Sequence, residues 1–74
     1  MCGSLMVASF HAACRNVLAD CKDDYAKAYA QAGLTLDTCE AIRAQVPYLL
    51  CNLSHWRGEL AKNTRNVLRS IGRM

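Results

Sequence analysis

The stretch that decides the fold is DTCEAIRAQVPYLLCNLSHWRGELAKNTRNVLRSIG, residues 37–72. At about 100° per residue, its aliphatic side chains gather on one side of a helix and most of its cations on the opposite side. The apolar side carries Ile42, Val46, Leu49, Leu53, Leu60, Val67 and Ile71, and the basic side carries Lys62, Arg65, Arg69 and Arg73. The periodicity therefore predicts a long amphipathic helical arm.

A proline, Pro47, interrupts this arm. Inside a helix, proline removes one hydrogen bond and its ring clashes with the carbonyl four residues back. Two alternatives follow: the arm kinks near residues 43–47 and continues, or a short helix 38–44 ends and a new helix starts with Pro47 in its first position. The apolar phase is kept across the proline, which favours the kink.

A second amphipathic segment occupies the N-terminal half, from about residue 5 to residue 32. Its apolar residues recur at spacings of three and four from Val7 to Ala32, with charged residues opposite. Its many alanines also favour a helix intrinsically. We therefore predict one helix over about 5–32.

The break between the two segments lies at residues 33–37. Gly33 is suited to close a helix in the left-handed conformation, and Asp37 with Glu40 fits a capping box for the next helix, predicted over 38–72. A five-residue turn between long amphipathic helices makes an antiparallel hairpin. The predicted fold class is all-α, a helical hairpin whose second arm is kinked or broken at its proline.

The composition predicts a partner for this hairpin. The chain has 74 residues, of which 53% are hydrophobic and 20% charged, so it forms one domain over 1–74. So short a chain buries only about 60% of its unfolded surface. The stretch 46–53 is apolar nearly all round, and a two-helix hairpin cannot cover both of its sides. We predict a second subunit there, giving a dimeric helical bundle; a third helix of the same chain is the alternative.

Charge and cysteine content bear on the partner and the compartment. Residues 1–51 carry a net charge of −1 and residues 52–74 a net charge of +4, so an anionic partner should meet the C-terminal third. No stretch is long enough to span a bilayer and no export signal is evident, so no membrane association is predicted. The expected compartment is the cytoplasm, where the five cysteines stay reduced.

Metal and catalytic motifs are weak. His11 with Cys14 and Cys51 with His55 have spacings typical of a zinc site, but helical phase places the two pairs on opposed faces. Cys51 and His55 lack a group to orient the imidazole, so we predict no enzymatic activity. No metal or cofactor is predicted, and a metal-binding or redox hairpin is the least favoured alternative.

The leading hypothesis is a small non-enzymatic protein-binding protein, a regulator or inhibitor acting through an apolar and basic helix face. Surplus apolar surface beside a basic stripe provides an apolar centre that an acidic protein partner can bury. The basic stripe forms a charged rim that attracts this partner. The predicted contact residues are Tyr48, Cys51, His55, Trp56, Lys62, Arg65 and Arg69. The alternative is a nucleic-acid-binding protein that uses the C-terminal basic helix, with strongly salt-dependent affinity. No motif assigns the chain to a family.

Overall fold

The structure is a bundle of short helices. A computed structural model describes residues 4–73, and over these residues it contains four α-helices and no strand. The helices are α1 (Ser4–Asp20), α2 (Asp24–Gly33), α3 (Cys39–Asn52) and α4 (Glu59–Gly72). The predicted all-α class is confirmed. The two-armed hairpin is not, because two helices replace each predicted arm.

The four helices surround one core. α1 and α3 each pack against both α2 and α4, and α1 also contacts α3 across the centre. Within the described residues, α2 and α4 lie diagonally opposite each other and make no significant contact. The longest dimension is 33 Å, whereas an unbroken arm of 35 residues would be about 52 Å long.

The first predicted helix is broken at residues 21–23. Asp23 begins a new helix, because its Oδ1 accepts hydrogen bonds from the backbone N–H groups of Tyr25 (2.8 Å) and Ala26 (3.1 Å). An aspartate in this role satisfies donors that would otherwise lack partners and competes with continuation of the preceding helix. The local signal was the pair Asp23-Asp24, which places a second carboxylate in the first turn of α2.

The second predicted arm breaks at residues 53–58 rather than at its proline. α3 runs through Pro47, whose ring is exposed, and the helix is held by apolar residues buried on its other side. Gly58 precedes α4 with a φ of 111°, a conformation that residues with a Cβ rarely adopt. The interruption predicted near Pro47 therefore lies further along the chain, where a glycine permits the turn.

This displaced break changes which face of α4 is buried. Leu60 and Val67, predicted for the core, are each 39% exposed. The helix instead buries Ala61, Thr64, Leu68 and Ile71. A non-helical connection lets α4 rotate relative to α3, so the apolar phase counted through residues 53–58 no longer applies. Asn16 Nδ2 donates to the buried Thr64 hydroxyl at 3.3 Å, which ties α4 to α1.

The connection between α2 and α3 is close to the predicted turn but is built differently. Thr38 begins α3, its Oγ1 accepting from the Ala41 N–H at 3.3 Å, in place of the predicted capping box. His11 Nε2 lies 2.7 Å from the Leu36 carbonyl oxygen and holds the connection against α1. Gly33 is the last residue of α2 and does not have a positive φ, so its predicted left-handed conformation is wrong.

The apolar stretch 46–53 is covered by the chain's own helices on one side of α3. Val46, Leu49 and Leu53 are buried in the common core with the large side chains of the other helices. Pro47, Tyr48 and Cys51 lie on the other side of α3, where the sequence predicted a second subunit, and they are exposed. A dimer through the stretch is not confirmed, and the alternative of a further helix from the same chain accounts only for the buried side.

The cysteines have different environments. Cys14 and Cys21 are buried free thiols, and Cys51 is an exposed one. Burial raises the pKa of Cys14 to about 11, so at neutral pH this thiol stays protonated and behaves as a small apolar residue. Cys39 is disulfide-bonded, so the expectation that all five thiols stay reduced is not met there.

Among the described residues, no helix has both the length and the hydrophobicity needed to cross a lipid bilayer.

Candidate partner-binding groove

A groove with cationic walls lies between α3 and α4. Its volume is about 320 Å³, and its lining residues are Arg43, Val46, Pro47, Leu50, Arg69, Gly72 and Arg73. We call this feature the arginine groove: three guanidinium groups from two helices surround a floor of Val46, Pro47 and Leu50. It combines an apolar centre with a basic rim, the combination that the sequence predicted for a binding surface.

Helical spacing explains how these residues meet. Arg43, Pro47 and Leu50 are separated by four and three residues, so they share the flank of α3 that faces α4. Gly72 of α4 faces this flank, and a Cβ there would make a near-ordinary contact of 3.4 Å with Val46 Cγ1. The floor of the groove is consequently part of the α3–α4 packing.

The arginines of α4 have the electrostatic character of an anion-binding rim. Arg69 and Arg73 are exposed, and within residues 4–73 the structure records no hydrogen bond or ion pair for either side chain. They lie at the C-terminal end of the helix, where the backbone dipole favours cations. Guanidinium groups bind carboxylates through short, paired hydrogen bonds, so this rim is suited to acidic side chains.

Four of the seven predicted contact residues lie on exposed helix surface. Arg69 is in the groove, Lys62 is exposed on α4, and Cys51 is exposed one turn after Pro47 on α3. Tyr48, a fourth, is 57% exposed but points toward α2, where its ring stacks on Tyr29 with a centroid distance of 5.7 Å. The structure therefore leaves Arg69, Lys62 and Cys51 exposed on α3 and α4, with only Arg69 in the groove, and turns Tyr48 toward α2.

Trp56 lies inside the molecule. Its side chain is only 7% exposed, and its Nε1–H donates to Asp20 Oδ2 at 2.7 Å. This hydrogen bond joins the α3–α4 connection to the end of α1. The neighbouring His55 is exposed and lines a cleft of about 490 Å³ with Asp20 and Asp23. Because Asp20 holds Trp56 and Asp23 caps α2, the acidic groups of this cleft already serve the fold.

Arg65 also has a structural role. Its half-buried guanidinium donates from Nη1 to the carbonyl oxygens of Leu53 (3.1 Å) and Trp56 (2.6 Å). These carbonyls belong to the non-helical connection that follows α3, where backbone acceptors lack helical partners. The Arg65 charge is thereby directed at the protein backbone, away from the stripe that the sequence predicted.

Replacing Arg65 with alanine should lower stability by about 1.5–3 kcal/mol, because two carbonyls lose a charged donor. The matched control is Arg69→Ala, one turn later on the same helix. Its free energy of unfolding should stay within about 0.5 kcal/mol of that of the parent protein. Urea unfolding followed by circular dichroism measures both. Equal midpoints for the two variants would contradict the structural role of Arg65.

The sequence did not point to Arg43 as a groove residue. The predicted basic face contained Lys62, Arg65, Arg69 and Arg73, because their helical phase is opposite to the apolar residues, and Arg43 does not share that phase. A usable signal was the spacing of Arg43 from Pro47 and Leu50, which places a cation beside the exposed apolar residues of the same helix.

The fold and the groove define a class: a small all-α helical protein with a basic groove and an apolar floor. The sequence matches no protein-family model, and it matches neither a curated protein nor a solved structure. Among the described residues, no group of three or more His, Cys, Asp or Glu side chains is placed to hold a metal ion.

Proposed function

We propose that this chain is a non-enzymatic protein-binding protein, a small regulator or inhibitor, that binds an acidic amphipathic helix in the arginine groove. The observation that carries the proposal is the convergence of Arg43, Arg69 and Arg73 around an apolar floor. A helix with an apolar face flanked by Asp and Glu would bury its apolar residues on the floor and pair its carboxylates with the rim.

The surroundings of the groove favour a protein partner over a nucleic acid. Nucleic acids are bound through cations placed along the phosphates, and single strands also through aromatic rings on which bases stack. The predicted row is interrupted, because Arg65 is engaged with backbone carbonyls. Neither candidate ring serves the groove, since Trp56 is buried and Tyr48 stacks on Tyr29. Aliphatic residues form the floor instead, and they suit apolar side chains.

Two designed peptides test the proposal. Each is a labelled helix of about four turns with one leucine face, flanked in one peptide by Glu and in its twin by Gln. Fluorescence anisotropy at about 100 mM salt should detect binding of the Glu peptide and at least about tenfold weaker binding of the Gln twin. The double variant Arg69→Glu, Arg73→Glu should lower the affinity for the Glu peptide by about tenfold or more, because the charges at the rim then repel the peptide's carboxylates.

The control variant makes the same change in net charge elsewhere. Arg15→Glu with Lys22→Glu alters two exposed cations outside the groove and should leave the affinity within about twofold. Far-ultraviolet circular dichroism verifies that both variants stay folded. Equal loss in the two variants, or no binding of the Glu peptide, would overturn the groove as the site. Tight, steeply salt-dependent binding of a labelled RNA or DNA duplex, lost with Arg69 and Arg73, would replace the proposal with the nucleic-acid alternative.

A further inference from the structure

The outer face formed by α1 and α4 differs from the rest of the surface in carrying exposed aliphatic side chains and no charge across its centre. Its α1 side presents Leu5, Ser9 and Ala12, and its α4 side presents Asn63, Val67 and Ser70. We call this the uncharged face. Of the five large hydrophobic residues exposed in the described part of the chain, Leu5 (82%), Leu60 (39%) and Val67 (39%) lie on or beside it.

Helix phase accounts for this distribution. α4 turns its arginines toward α3, which leaves the flank facing α1 to Asn63, Val67 and Ser70. None of the residues that line its two hollows is charged; Arg15 follows Ala12 by three residues on α1, and Glu59 precedes Asn63 by four on α4. Exposed aliphatic residues surrounded by small uncharged side chains are typical of surfaces that are covered in the functional state.

We propose that the uncharged face binds the same face of a second copy of this chain, so that the protein is a two-fold dimer. In a two-fold interface each patch meets itself, so a cation near the axis would face its own copy. For a chain with a net charge of +3, this repulsion disfavours self-association through the arginine groove. The uncharged face carries no such penalty.

The size of the bundle limits the interface of such a dimer. The bundle measures 33 × 20 × 17 Å. Any one side therefore has a projected area of at most about 660 Å², below the ~800 Å² that each partner buries in a standard-size complex, so we expect a weak dimer. Ser9 and Ala12 have short side chains, which let helices of two copies approach closely. The dimer would leave the arginine groove of each copy open, because the groove lies on the other flank of α4.

Sedimentation velocity of the full chain over a range of concentrations tests the dimer. The expected result is conversion of an 8.2 kDa species into one of twice that mass, with an affinity that high salt leaves unchanged or strengthens. Val67→Lys should raise the dissociation constant at least about tenfold, because each copy brings a cation to the other. Val67 is already part-exposed, so the substitution should leave the circular dichroism spectrum intact.

Tyr25→Lys is the matched control. It replaces a more exposed hydrophobic residue, 75% accessible on α2, with the same cation and should leave the dissociation constant within about twofold. A monomer at all concentrations would overturn the proposal. So would a dimer that Val67→Lys does not weaken, one that Tyr25→Lys weakens equally, or one that dissociates in high salt. Peptide binding in the arginine groove is measured separately, so either proposal can fail alone.

Discussion

Replacing Trp56 with alanine is expected to unfold much of the protein at physiological temperature. The indole is only 7% exposed and joins the core of all four helices. Truncating a buried tryptophan typically costs about 3–5 kcal/mol. At about 0.05–0.15 kcal/mol per residue, a chain of this length has a total stability of only about 4–11 kcal/mol. Thermal unfolding by circular dichroism should show a Tm lower by at least about 12 °C.

Two milder substitutions separate the burial of Trp56 from its hydrogen bond. Trp56→Phe keeps most of the apolar contact and loses the donor to Asp20, so it should cost clearly less than alanine. Asp20→Asn keeps an acceptor oxygen beside Nε1 and should cost about 1 kcal/mol or less, because Asp20 itself is exposed. An unchanged Tm for Trp56→Ala, combined with weaker peptide binding, would restore the sequence-based interpretation of Trp56 as a contact residue.

Gly33→Ala is expected to destabilise the protein even though alanine is the better helix former. Gly33 lies in α2, where alanine should gain up to about 1 kcal/mol on propensity alone. A Cβ at this position would lie 2.8 Å from Cys14 Sγ and 2.9 Å from Phe10 Cε2. Both neighbours are fully buried and have no room to move. Overpacking of this kind typically costs about 1–3 kcal/mol, so we expect the Tm to fall by several degrees.

Gly72→Ala is the natural comparison. A Cβ at Gly72 would lie 3.4 Å from Val46 Cγ1, close to an ordinary contact, so this variant should stay within about 0.5 kcal/mol of the parent. Adding Phe10→Leu to Gly33→Ala replaces the phenyl ring beside the new methyl group with a smaller side chain. The double variant should therefore lose less stability than the two single losses added together. A rise in Tm for Gly33→Ala would show that helix propensity outweighs packing here.

The arginine groove and the uncharged face place two surfaces on opposite flanks of one helix. α4 directs Arg69 and Arg73 toward α3 and directs Val67 toward α1. A dimer through the uncharged face would carry two arginine grooves. Two grooves in one assembly would bind a partner with two acidic helices more tightly than a single groove does, through effective concentration.

Part of the arginine groove was predictable from the sequence. The apolar stretch 46–53 and the cations after residue 61 were both identified, and the structure joins them at Pro47, Leu50 and Arg69. Periodicity within each helix was sufficient to identify each set, because residues three and four apart share a face, but the packing of α4 against α3 was needed to bring the two sets together. The roles of Trp56 and Arg65 were not readable, since their partners lie 36 and 12 residues away in the chain.

The all-α class and the turn near residue 33 follow from local physics: apolar spacing, alanine content and the chemistry of helix ends act over a few residues. The number of helices did not follow, because apolar residues recur at helical spacing through residues 21–23 and 53–58, although the structure buries Ala26 and Ala30 in α2 and leaves Tyr25 exposed. A turn in the chain is not visible in the sequence when apolar residues continue at spacings of three and four across it. The rotation of α4 and the burial of Trp56 were decided by packing among four helices, where contacts between distant residues outweigh local periodicity.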